Sequence, residues 1–153
     1  MKKDIEVLKK EFYILKLDIA KYFYSIDHNK LKEMLKEDLN DEYMYKYISN
    51  IINSTNKDYI NKHIKSIKDK YSDIRAINDI PYYLKDKGLP IGNYSSQFLS
   101  IYYLYRLDYK IVHTYKIKHY VRYMDDFILM HEDKEYLKMI KNKLEEELLN
   151  TYK

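Results

Sequence analysis

The sequence reads Tyr120-Val121-Arg122-Tyr123-Met124-Asp125-Asp126-Phe127-Ile128-Leu129-Met130 in its most informative stretch. The segments Tyr120 to Met124 and Phe127 to Met130 are apolar and aromatic, which predicts two strands that meet at an acidic turn. Such a turn directs Asp125 and Asp126 out of the core, toward solvent or a ligand. An ordinary hairpin turn explains this stretch equally well when it is taken alone, because Asp favours turns through local hydrogen bonds.

A third acid, Asp18, lies near the end of another apolar segment, Phe12 to Ala20, which predicts a short strand. A carboxylate buried late in an apolar strand is strongly destabilising unless it is paired or binds a metal, so we expect this strand to need a cation. Carboxylates without neighbouring His or Cys favour Mg²⁺. Two such ions, about 3.5–4 Å apart, can support an in-line phosphoryl displacement. Asp18, Asp125 and Asp126 are therefore candidate ligands for two Mg²⁺ ions, with Mn²⁺ as a substitute.

The remaining pattern predicts helices around one sharp turn. Gly88-Leu89-Pro90-Ile91-Gly92-Asn93 holds both glycines and one of the two prolines of the chain, so a special backbone is expected there. Apolar residues recur at helical spacing after Asn29, after Asp41, after this turn and after Glu132 or Asp133. Residues 54–87 are polar and weakly periodic, which favours a surface insertion with a helix of its own.

Length and composition limit the kinds of protein that this chain can be. The 153 residues, 46% hydrophobic and 34% charged, predict one compact domain over residues 1–153. A net charge of +4 permits a nucleic-acid partner without requiring one. No cysteine is present, which excludes a disulfide framework and thiolate zinc sites. Charges interrupt the opening MKKDIEVLKKEFYILKLDIAKYF, so it is neither a signal peptide nor a membrane span, and a cytoplasmic protein without a membrane partner is expected.

Three ordered blocks of the sequence resemble the reverse transcriptase family, RNA-directed DNA polymerases, of the bacterial type. Leu17 to His28 is similar to the first catalytic motif of that family, and Gly88 to Gln97 is similar to its primer-template and nucleotide motif. Tyr123 to Asp126 is similar to its YxDD box. The resemblance covers nearly the whole chain and extends to the enzymes of diversity-generating retroelements, retrons and group II introns.

The resemblance implies an α+β fold, a polymerase palm in which a small antiparallel sheet bears the catalytic carboxylates and is backed by helices. Asp18, Asp125 and Asp126 would be catalytic and would bind the metal ions, together with the backbone carbonyl of Ile19. Phe23 would lie under the incoming sugar and exclude a 2′-hydroxyl. Without the motif, a core aromatic would be the better interpretation of Phe23.

The second block implies a nucleotide-binding segment that includes Ile91, Gly92 and Gln97. Gly92 would let the backbone approach the nucleotide closely. Many relatives carry Gln at the position of Ile91 and Pro at the position of Gln97. An apolar Ile91 cannot donate a hydrogen bond to nucleotide or template, so lower copying fidelity is a hypothesis.

Two further residues carry open alternatives. His28 could be a ligand or a general base, but its place at a helix start favours capping or packing. Arg122 is expected either to approach a phosphate or a neighbouring acid, or to be a solvated strand residue.

The implied activity is attack of a primer 3′-hydroxyl on the α-phosphate of a dNTP, directed by an RNA template. Partners would be RNA template, DNA or RNA primer, dNTPs and accessory retroelement proteins. The fingers and thumb of the family are not visible, so a fragment or a minimal palm is expected. Two alternatives remain open: a catalytically silent palm that binds nucleic acid or serves phage defence, and a palm-type nucleotide cyclase. The cyclase predicts a different loop around the acids and no counterpart to Gly88 to Gln97.

Overall fold

The computed structural model describes residues 11–152. These residues fall into two compact units. The sheet unit comprises residues 11–20 and 104–151, and the helical unit comprises residues 21–103 together with Tyr152. The first ten residues of the charged opening segment and Lys153 lie outside the described residues.

Along the chain, residues 21–103 of the helical unit lie between the first strand and the other elements of the sheet unit. The strands are β1 (Tyr13–Asp18), β2 (His119–Tyr123) and β3 (Asp126–His131). The helices are α1 (Tyr22–Ser25), α2 (His28–Asp38), α3 (Glu42–Ile52), α4 (Asp58–Lys70), α5 (Arg75–Asn78), α6 (Tyr94–Tyr103), α7 (Tyr105–Tyr109) and α8 (Lys134–Thr151). A 3₁₀ turn, Asn53–Asn56, follows α3, and a π-helical turn, Lys110–Thr114, follows α7.

The three strands form one antiparallel sheet in the order β1-β3-β2. β1 pairs with β3 so that Asp18 lies opposite Asp126, and β2 pairs with β3 so that Tyr123 lies opposite the same residue. The predicted strands and their antiparallel pairing are therefore confirmed, and the fold is α+β.

One face of the sheet is covered and the other is open. Phe127 and Leu129 of β3 point to the covered face, where their side chains are buried. Helix α8 packs against β1 and β3 and buries a stripe at helical spacing, formed by Leu137, Ile140 and Leu144. Because side chains alternate along a strand, Asp126 and Ile128 lie on the opposite, open face.

Three aspartates begin helices by capping their free N–H groups. The side chains of Asp27, Asp41 and Asp133 each accept a backbone hydrogen bond of 2.9 Å in the first turn of α2, α3 and α8. The helices predicted after Asp41 and after Glu132 or Asp133 are confirmed, and Asp133 is the cap of the latter. The insertion predicted at residues 54–87 does contain a helix of its own, α4.

The predicted special turn is present in the helical unit. Gly88 has φ +82°, and its N–H donates to the carbonyl of Ile26 at 2.8 Å. Nε2 of the fully buried His28 lies 2.7 Å from the Gly88 carbonyl, and Thr55 donates to the same oxygen at 3.0 Å. His28 thus packs under the turn, as favoured, while Asp27 supplies the cap. Among the helices of residues 11–152, none is long and apolar enough to cross a membrane.

Candidate metal centre at the acidic hairpin

Asp18 and Asp126 form a cross-strand pair. Asp18 is the last residue of β1 and Asp126 is the first residue of β3, and the register places them directly opposite each other. Directly opposed residues of antiparallel strands share a face, with Cβ atoms about 4.5–5.5 Å apart. Two carboxylates from distant parts of the sequence therefore meet on the open face, at one end of the sheet.

Asp125 lies in the tight turn beside this pair. Tyr123 and Asp126 pair across β2 and β3, so the connection consists of Met124 and Asp125 alone. Met124 has φ +54°, a left-handed conformation that is strained for a residue with a side chain. The sequence predicted both Asp125 and Asp126 at the hairpin tip, which is wrong for Asp126 because the strand begins one residue earlier than expected.

Ile19 joins the turn to the strand that carries Asp18. Its backbone N–H donates to the carbonyl of Asp125 at 3.3 Å. This bond continues the β1–β3 ladder by one step past Asp18. The structure thus brings Asp18, Ile19, Asp125 and Asp126 together within the sheet unit.

The expected burial of Asp18 is wrong. Asp18 is exposed, and Asp125 and Asp126 are half-buried. The side chain of Asp18 lies on one face of the sheet and α8 covers the opposite face, so water reaches Asp18. Since a solvated carboxylate is stable without a counter-ion, β1 does not need a cation in order to fold.

The open face of the sheet carries both charged and apolar side chains. Lys16, two residues before Asp18, lies with its Nζ 3.6 Å from Oδ1 of Asp126. Both side chains are substantially exposed, at 67% and 48%, so the attraction is weakened by solvent. Exposed apolar side chains continue the same face across the strands, namely Ile14, Val121, Tyr123 and Ile128.

The carboxylates offer oxygen donors of the kind that a hydrated divalent cation uses. Within residues 11–152, no three His, Asp or Glu side chains already converge as a ligand cluster. Mg²⁺ keeps several waters and is held by one or two carboxylates with substrate phosphates, so it does not require a preformed protein cage. The Asp18–Asp126 pair, with Asp125 next to it, supplies the hard oxygen donors that such an ion prefers.

Arg122 supports the turn from the covered face. Its side chain is 4% exposed and pairs with Asp108 of α7. Its Nη1 also donates to the carbonyl of Met124 at 2.8 Å. Of the alternatives for Arg122, the neighbouring acid is correct and the solvated residue is wrong. The alternation of β2 could have indicated this, because Arg122 and Tyr120 share the face opposite to the exposed Val121 and Tyr123.

The nucleotide-motif residues lie in the helical unit. The carbonyl of Phe23 accepts a hydrogen bond from Leu89 N–H at 2.7 Å, so the first and second blocks meet there. Phe23 is half-buried, and Gln97 is a half-buried residue of α6. Ile91 is 58% exposed, and Gly92, with φ +100°, has open space where a Cβ would point. Both are accessible to a ligand.

An open cavity of about 910 Å³ adjoins this turn in the helical unit. Tyr24, Tyr83 and Ile91 line it together with Lys62 and His63 of α4. Burial raises the pKa of Tyr83 to about 12, so its hydroxyl stays protonated and donates to the Leu89 carbonyl at 3.1 Å. The sequence did not reveal this cavity, because α4 belongs to the weakly periodic insertion.

Comparison with known proteins adds no relative: no protein-family model matches the chain, and no curated protein matches it. A functional assignment therefore depends on the residues and their geometry.

Proposed function

We propose that the chain is the palm of an RNA-directed DNA polymerase, which joins a dNTP to a primer 3′-hydroxyl on an RNA template. The single observation that supports this most strongly is the pairing of Asp18 with Asp126 beside the Asp125 turn. Asp18 and Asp126 share the open sheet face, and Asp125 lies in the turn beside them. Two-metal nucleotidyl transfer needs carboxylates that lie close together in this way. The proposal is also supported by the resemblance to reverse transcriptases, because the three motif blocks follow one another in the order of that family.

Asp18, Asp125 and Asp126 would hold divalent ions, Mg²⁺ or Mn²⁺, with the Ile19 carbonyl as a further oxygen donor. When bound, two such ions neutralise the charge that develops on the attacking and leaving oxygens of an in-line displacement. A primer end would lie on the open sheet face, beside the carboxylates. The exposed apolar residues of that face, such as Val121 and Tyr123, offer sugar and base contacts without sequence preference.

The helical unit would bind the nucleotide through the Gly88–Asn93 turn. Gly92 is exposed and carries no Cβ, so its backbone can lie against a sugar or phosphate. The Leu89 bond to the Phe23 carbonyl fixes the two nucleotide-motif blocks to one another. Phe23 would exclude a 2′-hydroxyl, and the apolar Ile91 would relax discrimination among incoming bases.

A catalytically silent nucleic-acid-binding or phage-defence palm is the second candidate. The solvent exposure of Asp18 favours it, because the acids are stable without an ion. The left-handed backbone of Met124 favours the polymerase instead, since backbone strain is retained more often at functional turns than elsewhere.

Primer extension separates the two candidates. Wild-type chain, Asp126→Asn and the matched control Glu135→Gln would be compared on a primed RNA template with dNTPs and Mg²⁺. Glu135 is an exposed carboxylate of α8 in the same unit, so its amide variant controls for charge loss.

The polymerase proposal expects nucleotide addition by the wild type and the control, and none by Asp126→Asn. Addition that persists in Asp126→Asn would contradict it. Template binding by all three proteins without addition by any would support the silent palm instead.

A further inference from the structure

Arg122 connects the acidic turn to helix α7 within the sheet unit. Its guanidinium donates through Nε to Oδ1 of Asp108 at 2.7 Å and through Nη2 to Oδ2 of the same carboxylate. Through Nη1 it donates to the Met124 carbonyl at 2.8 Å. One planar group thus binds an acid on a helix and a backbone oxygen in the turn.

Asp108 is itself held in place. The Tyr120 hydroxyl donates to its Oδ1, and burial raises the pKa of Tyr120, so this hydroxyl remains a donor at neutral pH. Asp108 is 29% exposed on its side chain, whereas Arg122 is only 4% exposed. Asp108 therefore holds Arg122 from the helix side, in addition to the contact of Arg122 with the turn.

The contact to Met124 bears directly on Asp125. The Met124 carbonyl and the Asp125 N–H belong to one planar peptide unit, so a bond that fixes the carbonyl also fixes the plane from which Asp125 begins. On the other side of Asp125, its own carbonyl accepts the Ile19 N–H. Both peptide units that flank Asp125 are thereby anchored, one by Arg122 and one by β1.

We infer that Arg122, oriented by Asp108, is a positioning residue that sets the metal affinity of the acidic turn. This inference rests on the proposed function, because it assumes that the acids bind a divalent cation. Lysine cannot replace Arg122 in this role, since a single ammonium lacks the planar fork that reaches both acceptors.

The test combines the conformation of the turn with its metal affinity. Arg122→Lys and Arg122→Gln would be compared with the wild type by amide hydrogen exchange at Ile19, observed by NMR, and by calorimetric titration with Mn²⁺ alone. Lys110→Gln is the matched control, because it also removes an ion pair of the sheet unit, that between Lys110 and Glu147.

Both Arg122 variants are expected to exchange faster at Ile19 and to bind Mn²⁺ about 10-fold more weakly, the lower end of the effect of losing a group that supports metal ligands. Lys110→Gln is expected to change neither quantity, even where it lowers the melting temperature. If the Arg122 variants fail to fold, Asp108→Asn keeps the guanidinium and is expected to change both quantities in the same direction.

Two other results would overturn the inference in distinguishable ways. Wild-type Mn²⁺ affinity in folded Arg122→Lys and Arg122→Gln, with Asp126→Asn impaired, would reject the positioning role alone. Equal Mn²⁺ binding by wild type and Asp126→Asn, or none by either, would reject the metal centre and with it the positioning role.

Discussion

Replacing Gly88 and Gly92 separately by alanine should distinguish a structural glycine from a functional one. Both have left-handed backbones, with φ +82° and +100°. An alanine at either position is therefore strained. The two sites differ in what surrounds the added methyl group.

At Gly88 a Cβ would lie 2.7 Å from Cδ1 of Tyr83 and 3.1 Å from the carbonyl oxygen of Phe23. The Tyr83 ring must move to admit the methyl group. The Phe23 carbonyl oxygen can shift only slightly, because it accepts a hydrogen bond from the Leu89 N–H. Left-handed strain of about 1–2 kcal/mol adds to about 1–3 kcal/mol of overpacking. The smaller conformational entropy of unfolded alanine offsets about 0.4–1 kcal/mol, so we expect Gly88→Ala to lower the free energy of unfolding by about 1–4.5 kcal/mol.

At Gly92 no heavy atom lies within 4 Å of the added Cβ. Only the backbone strain applies, and the smaller conformational entropy of unfolded alanine offsets about 0.4–1 kcal/mol of it. We expect Gly92→Ala to lower the free energy of unfolding by about 1.5 kcal/mol or less.

Urea unfolding followed by far-ultraviolet circular dichroism measures both losses of stability. Under the proposed function, Gly92→Ala should also raise the KM for dNTP in primer extension, because its methyl group occupies space that the nucleotide needs. A Gly92→Ala loss of stability equal to that of Gly88→Ala would refute the argument from contacts. An unchanged KM in Gly92→Ala would refute the assigned nucleotide contact.

Three further changes have defined outcomes. Lys16→Gln removes the exposed cation beside Asp126, and we expect Mn²⁺ affinity by calorimetry to rise up to about 5-fold at low salt, with no gain at high salt. Burial lowers the pKa of His28 from its ordinary value of 6.5, so this imidazole stays neutral in the folded chain at pH values where it is protonated in the unfolded chain. Stability should be fully present above pH 6.5 and fall below it, by at most about 1.4 kcal/mol per pH unit; urea midpoints should show less of this fall in His28→Gln. Met124→Gly relieves left-handed strain and should raise the melting temperature slightly; a decrease would contradict that strain.

The sequence predicted the sheet well because its signal is local. The apolar segments before Asp18 and on both sides of Asp125 are strands, and alternation along β3 separates the buried Phe127 from the open-face Ile128. The hairpin was displaced by one residue. Tyr123 pairs with Asp126, so Met124 occupies the turn although methionine is not a typical turn residue.

Features that depend on packing could not be predicted in the same way. The exposure of Asp18 follows from the sheet face that α8 covers, and an apolar run in sequence does not specify that face. The Arg122–Asp108 pair joins a strand to a helix that lies fourteen residues earlier. The contact of His28 with the Gly88 carbonyl spans sixty residues. Each arises only when separate elements pack together.

The most direct test of the metal centre is a titration with Mn²⁺ followed by NMR, because the paramagnetic ion broadens the resonances of nearby backbone amides. We predict that the amides of Ile19, Asp125 and Asp126 broaden first, and that Asp18→Asn abolishes this preference. First broadening at the exposed α8 acids Glu145 and Glu146, or a pattern that Asp18→Asn leaves unchanged, would contradict the assignment of these carboxylates as a metal centre.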